Sequence, residues 1–243
     1  YMPYRRLPNT DSARLRAMKK ALDMSRNIPP FRLAFSMKTL VKMQGFLPVF
    51  ENAISHQRQT LGNQAEKVRT NQEAARKARI YITHFLRVMN MAITRGELPQ
   101  ETRSFYGIAP GDATLPSLAT ENELVAWGKR IIDGEEYRIR KANMPVTNPS
   151  IAVVKARYEK FLETRNHYKT INRRAAECVS RTSELRREAD ELITSLWNEI
   201  EASFSSLSEE EKRASAEKYG LVYVFRKGET TQTNLSPTLF EVE

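Results

Sequence analysis

His56, His84, His167 and Cys178 are the side chains of this 243-residue chain best suited to ligating a metal or attacking an electrophile, and their spacing supports neither. The histidines are far apart, and none sits in an H-E-x-x-H pattern, whose four-residue step puts two imidazoles on one helix face. A di-iron bundle needs Glu-x-x-His pairs on facing helices, whereas Glu163 stands four residues before His167 and the pattern is not repeated. One cysteine cannot build a zinc ribbon. Cys178 falls on an apolar stripe, where it reads as a small core residue, and no base can be nominated to activate its thiol. His84, in YITHFLR, reads as a bundle-edge histidine. The motifs G-x-x-x-x-G-K-[ST], G-x-G-x-x-G and G-x-S-x-G are missing. Glu177 stands four before Arg181, and Arg187 four before Glu191, so these carboxylates read as halves of surface ion pairs. The expectation is a protein that is not an enzyme and uses no metal and no cofactor.

What remains is positive charge, and it is unevenly placed. The chain carries 39 Lys and Arg against 29 Asp and Glu, a net charge of +10. Residues 1–95 hold 18 of those cations against 5 anions, and residues 96–243 hold 21 against 24. Such asymmetry suits an acidic partner, which can be a protein (another chain or a second copy of this one), a nucleic acid or an anionic membrane.

The cations form two groups. Arg58, Arg69, Arg76 and Arg87 are separated by 11, 7 and 11 residues. At about 100° per residue they project within about 20° of one another, in a line roughly 45 Å long and about a quarter turn from the apolar stripe. Phosphates are more closely spaced, so the line supports charge attraction without sequence readout. Nearer the start, Arg5 and Arg6 form an arm beside Tyr1 and Tyr4, aromatics able to stack on bases. Arg16, Lys19 and Lys20 then fall on one flank of a helix whose buried side is Leu15, Met18 and Leu22, with Arg14 on the other flank. No helix-turn-helix spacing accompanies them. The candidate residues for an acidic partner or phosphate are therefore Arg5, Arg6, Arg16, Lys19, Lys20, Arg58, Arg69, Arg76 and Arg87.

The elements that must position these residues are helical. Glycine and proline are scarce, at 9 and 11 residues, and helix-favouring types dominate. The pattern predicts an all-α fold: an elongated helical bundle with two long coiled-coil-like helices, three shorter helices and a short extended C-terminal segment. The shorter helices are read over 11–25, 120–143 and 208–220; Thr120 with Glu123 and Ser208 with Glu211 form capping boxes. A helical stretch over 36–46 is set off by a break or kink at Gly45 and Pro48. The first long helix, 48–94, repeats Ile54, Leu61, Val68, Ala75, Ile82 and Met89 every seven residues, joined by Ala65, Leu86 and Ile93. The second runs to about Phe204 from Asn148-Pro149, read as a cap and a first-position proline. The stripes of both long helices are thin in the middle, and the two are expected to pack along each other, in a direction left open.

Residues 96–119 read as a long irregular stretch pinned by Phe105 and Tyr106, and 221–225 as an extended run with no strand to pair with in its own chain. One elongated domain is expected over 1–226, with a basic half 1–95, a near-neutral half 96–226 and a flexible tail 227–243. No run is apolar enough to span a bilayer or form the core of a signal peptide; Phe31-Arg32-Leu33-Ala34-Phe35 reads as a core linker, with dipping into an interface as the alternative. One cysteine leans towards a reducing compartment, so a cytoplasmic location is expected. The functional expectation is a non-catalytic interaction or assembly protein, a homo-oligomer engaging an acidic surface, with sequence-nonspecific nucleic-acid binding through residues 1–95 as the alternative.

Overall fold

The computed structural model describes residues 3–226, and the expected tail 227–243, like Tyr1, lies outside the described residues. The fold is all-α. In chain order the elements are β1 (Tyr4–Arg5), α1 (Asp11–Asn27), α2 (Met37–Thr94), α3 (Glu121–Arg140), α4 (Ile151–Ser203), α5 (Glu209–Glu217) and β2 (Tyr223–Val224), with 3-10 turns at Pro30–Arg32 and Gln100–Tyr106. The contacts gather into two compact units. One holds the described residues up to Gln57 and from Cys178 onward, and the other holds Arg58–Glu177, so α2 and α4 contribute to both. This division does not follow the charge boundary at residue 95.

In the first unit, α1 begins on Thr10, whose hydroxyl accepts from the Ala13 N–H. Met18, Ala21 and Leu22 then face a core built by Met43, Phe46, Leu47 and Phe50 of α2 and by Ile193, Leu196, Trp197 and Ile200 of α4. Of the break or kink expected at Gly45 and Pro48, the break is absent, and α2 runs through both. The reason is burial: Met43, Phe46, Leu47 and Phe50 anchor one face, while Gly45 and Pro48 lie on the exposed face. There, water can satisfy the carbonyl that the proline leaves without a donor.

The segment 221–225 also differs from expectation, because it has a strand partner in its own chain. Tyr4 pairs with Val224 and Arg5 with Tyr223 in an antiparallel ladder, extended by the Arg6 N–H donating to the Val222 carbonyl at 2.8 Å. The segment Phe31-Arg32-Leu33-Ala34-Phe35 behaves largely as a core linker: Ala34 and Phe35 are core residues, while Phe31, 82% exposed, and Arg32 stand clear.

In the second unit, Ile82, Phe85, Leu86 and Met89 of α2 pack with Leu124 and Ile131 of α3 and with Val154, Tyr158 and Phe161 of α4. The long helices run antiparallel here: Thr164 donates to Asn71 at 3.2 Å and Gln64 donates to Asn172, so numbers rise on one helix as they fall on the other. Helix α4 starts at Ile151, after a cis Asn148–Pro149 bond, so Pro149 precedes the helix and is not its first residue.

The 96–119 stretch is more ordered than its composition implies. Its 3-10 turn buries Thr102, Arg103 and Tyr106, Arg103 donates to Asn90 at 3.0 Å and to the Pro110 carbonyl, and Arg79 holds the Leu118 carbonyl at 2.6 Å. The thin stripes are visible as burial. No residue from 51 to 70 is buried, Leu61 of the seven-residue repeat and Ala65 that joins it are exposed, and between Thr164 and Ala189 only Ala175 and Thr182 are buried.

Candidate functional site

The nine candidate cations take three different situations. Strand geometry separates Arg5 from Arg6, because successive side chains point to opposite faces. Arg5 turns towards α4, donating to Asn198 at 2.8 Å and to Glu201 at 3.0 Å, and the Tyr223 hydroxyl donates to the same Glu201 at 2.7 Å. Burial, and then that hydrogen bond to a carboxylate, push the Tyr223 phenol well above its ordinary range. Arg5 is therefore a strap that holds the arm to the helix. Lys19 is matched too, in an ion pair with Glu51 of α2. Arg14, expected on the other flank, is clamped to Asp190 at 2.7 Å and to Asp11 at 3.2 Å.

Arg6, Arg16 and Lys20 converge. All three are exposed and line one cavity of about 280 Å³, enclosed by the arm, α1 and the segment around Gly220 to Val222. None of the three side chains has a hydrogen bond or ion pair among the described residues. The cavity exists because Gly220, at φ +106°, brings the C-terminal segment against α1; a Cβ there would lie 3.2 Å from the Lys20 Cβ. Trp197, fully buried, closes the cavity from the α4 side, and its indole N–H has no acceptor among the described residues. The lining that the described residues form holds cationic donors and no carboxylate, histidine or cysteine.

Arg58, Arg69, Arg76 and Arg87 lie in the second unit, exposed on α2 and without a partner among the described residues. Helical spacing places Ile80, His84 and Met91 within about 80° of this row, and Ile80 and Met91 are 50% and 53% exposed. Ile80 and His84 also line an open groove with Asn148, Ser150 and Val153. The row is therefore an amphiphilic ridge, with Ile80 between Arg76 and Arg87 and Met91 just beyond Arg87.

Sequence reasoning passed over the strongest polar cluster in the molecule. Glu135 and Arg138 of α3 are buried together, and Glu135 also accepts from the Tyr106 hydroxyl and from the Val146 N–H at 2.9 Å. Burial, and then the hydrogen bond to Glu135, drive the Tyr106 phenol upward. Every oxygen of Glu135 is engaged, and its partners are structural segments. The available signal was Gly134: its missing side chain admits the Phe105 carbonyl against α3. His56, His84 and His167 are exposed and Cys178 is half-buried; among the described residues no three His, Cys, Asp or Glu side chains group as metal ligands. Among the same residues, no helix is long and apolar enough to cross a membrane.

Comparison with protein-family models, with curated proteins and with solved structures finds no match.

Proposed function

We propose that this chain is a non-catalytic helical interaction protein that engages an acidic protein partner through the amphiphilic ridge of α2. One observation carries this reading: four exposed, unpaired arginines share a helix face with the exposed side chains of Ile80 and Met91. An isolated cationic row attracts any polyanion. Apolar side chains beside the cations favour a partner that brings carboxylates and apolar side chains together, as an amphipathic acidic helix does. A second copy of the chain remains a candidate partner, and light scattering at micromolar concentration tests that assembly: a strict monomer removes it.

The second reading is sequence-nonspecific nucleic-acid binding by the same arginines, for which their lack of intramolecular partners is the supporting observation. The two readings part at the apolar residues. Fluorescence anisotropy with a labelled helical peptide carrying Glu on one face and Leu on the other, and with a labelled DNA duplex, separates them. The protein-partner reading expects Ile80→Ser with Met91→Ser to weaken peptide binding about tenfold or more. The nucleic-acid reading expects tight, steeply salt-dependent duplex binding that the same pair leaves unchanged.

A further inference from the structure

We propose that the cavity between the N-terminal arm, α1 and the segment after α5 is a binding site for a phosphate monoester carried on a small apolar body. It lies in the first unit, uses none of the ridge arginines, and stands or falls independently of the ridge.

The charge count selects the anion. Arg6, Arg16 and Lys20 bring three positive charges to one concavity, with no acidic side chain in the lining and no partner for any of them among the described residues. Arg16 and Lys20 stand four apart on α1, where like charges repel. One carboxylate would match only one of the three. A phosphate monoester carries close to two negative charges at neutral pH and three acceptor oxygens. Arginine forks engage such oxygens in pairs, and a lysine adds a mobile point charge.

The rest of the lining selects the body. Leu7 and Leu221 supply apolar wall, and about 280 Å³ lies near the lower end of small-ligand pockets. That volume accepts a phosphate with one ring or a short chain and excludes a polynucleotide. Trp197, whose buried indole N–H has no acceptor among the described residues, belongs to the same lining. The described lining supplies cationic donors and no general base, so the proposal is for binding and not for phosphoryl transfer.

The probe is phenyl phosphate, titrated at constant ionic strength into the full chain carrying Trp127→Phe, so that Trp197 is the one remaining tryptophan of the two. Calorimetry on the wild-type chain repeats the comparison without that substitution. The expected result is saturable binding with a Kd of about 1 mM or tighter, and binding of inorganic phosphate and of benzoate about tenfold weaker. Arg16→Gln and Lys20→Gln each weaken phenyl phosphate binding about tenfold. Both side chains are exposed, so the helical circular dichroism stays unchanged. Absence of saturable binding by calorimetry, or equal affinity in the Arg16→Gln/Lys20→Gln double variant, overturns the site. Equal affinity for benzoate overturns the dianion, and equal affinity for inorganic phosphate overturns the apolar body.

Discussion

Glu135 and Arg138, one turn apart on α3, form a two-bond ion pair at 2.9 Å per bond with side chains 0% and 2% exposed. The pair works as a joint. Glu135 also receives the Tyr106 hydroxyl from the 3-10 turn and the Val146 N–H from the turn before α4, and Arg138 donates to the Met144 carbonyl. Breaking one side of such a pair leaves a buried charge without compensation, and Glu135→Ala is expected to cost about 3–5 kcal/mol. Urea unfolding reads that loss as a lower midpoint.

Asp11 gives the first unit a dependence on acid. Arg186 donates to its two oxygens at 2.8 Å each and Arg14 adds a third bond at 3.2 Å, so hydrogen bonding to Arg186 in the first place holds the carboxyl below its ordinary value. A carboxyl depressed in the folded state contributes its full stability above its unfolded pKa, about 4, and loses it as pH falls through the folded value. Asp11→Asn is therefore expected to lower stability at neutral pH by about 1 kcal/mol, as partly exposed pairs do. The difference from wild type should shrink below about pH 4. Unfolding midpoints at pH 7 and pH 3 check this; a difference that stays constant removes the assignment.

Two glycines should respond in opposite directions to alanine. A Cβ on Gly134 would collide with the Phe105 carbonyl, a backbone atom that cannot rotate away, whereas a Cβ on Gly62 would meet nothing within 4 Å. Gly134→Ala is expected to destabilise by about 1–3 kcal/mol. Gly62→Ala, on an exposed helix surface, should stabilise by about 0.5–1 kcal/mol. Thermal unfolding of the two variants side by side gives both signs.

Local signals in the sequence were readable because they are complete within a few residues. Thr120 with Glu123 and Ser208 with Glu211 form the capping boxes expected of them, and α1 starts where its cap residues place it. The stripe Val154, Tyr158, Phe161, Ala175, Thr182, Ala189, Leu192 and Leu196 is buried along α4. What could not be read depends on distant segments. The strand partner of Tyr223 is Arg5, and only that pairing shows that Arg5 is tied to α4 while its neighbour Arg6 faces a cavity. Likewise Arg16, Lys19 and Lys20 share a flank in sequence, yet Glu51 of α2 claims Lys19 alone. Gly45 and Pro48 misled because helix breakers were weighed without knowing that they face water.

The proposed role of the unpaired arginines of α2 is to hold an acidic partner. Its most direct test is anisotropy of the labelled acidic amphipathic peptide with wild type and with Arg58, Arg69, Arg76 and Arg87 all changed to Glu, across a salt series. Wild-type binding is expected to be saturable and to weaken as salt rises, because screening acts on exposed charges, and the fourfold variant is expected to lose that binding with helicity retained. Binding of equal strength in the two proteins, or wild-type binding indifferent to salt, would contradict that role.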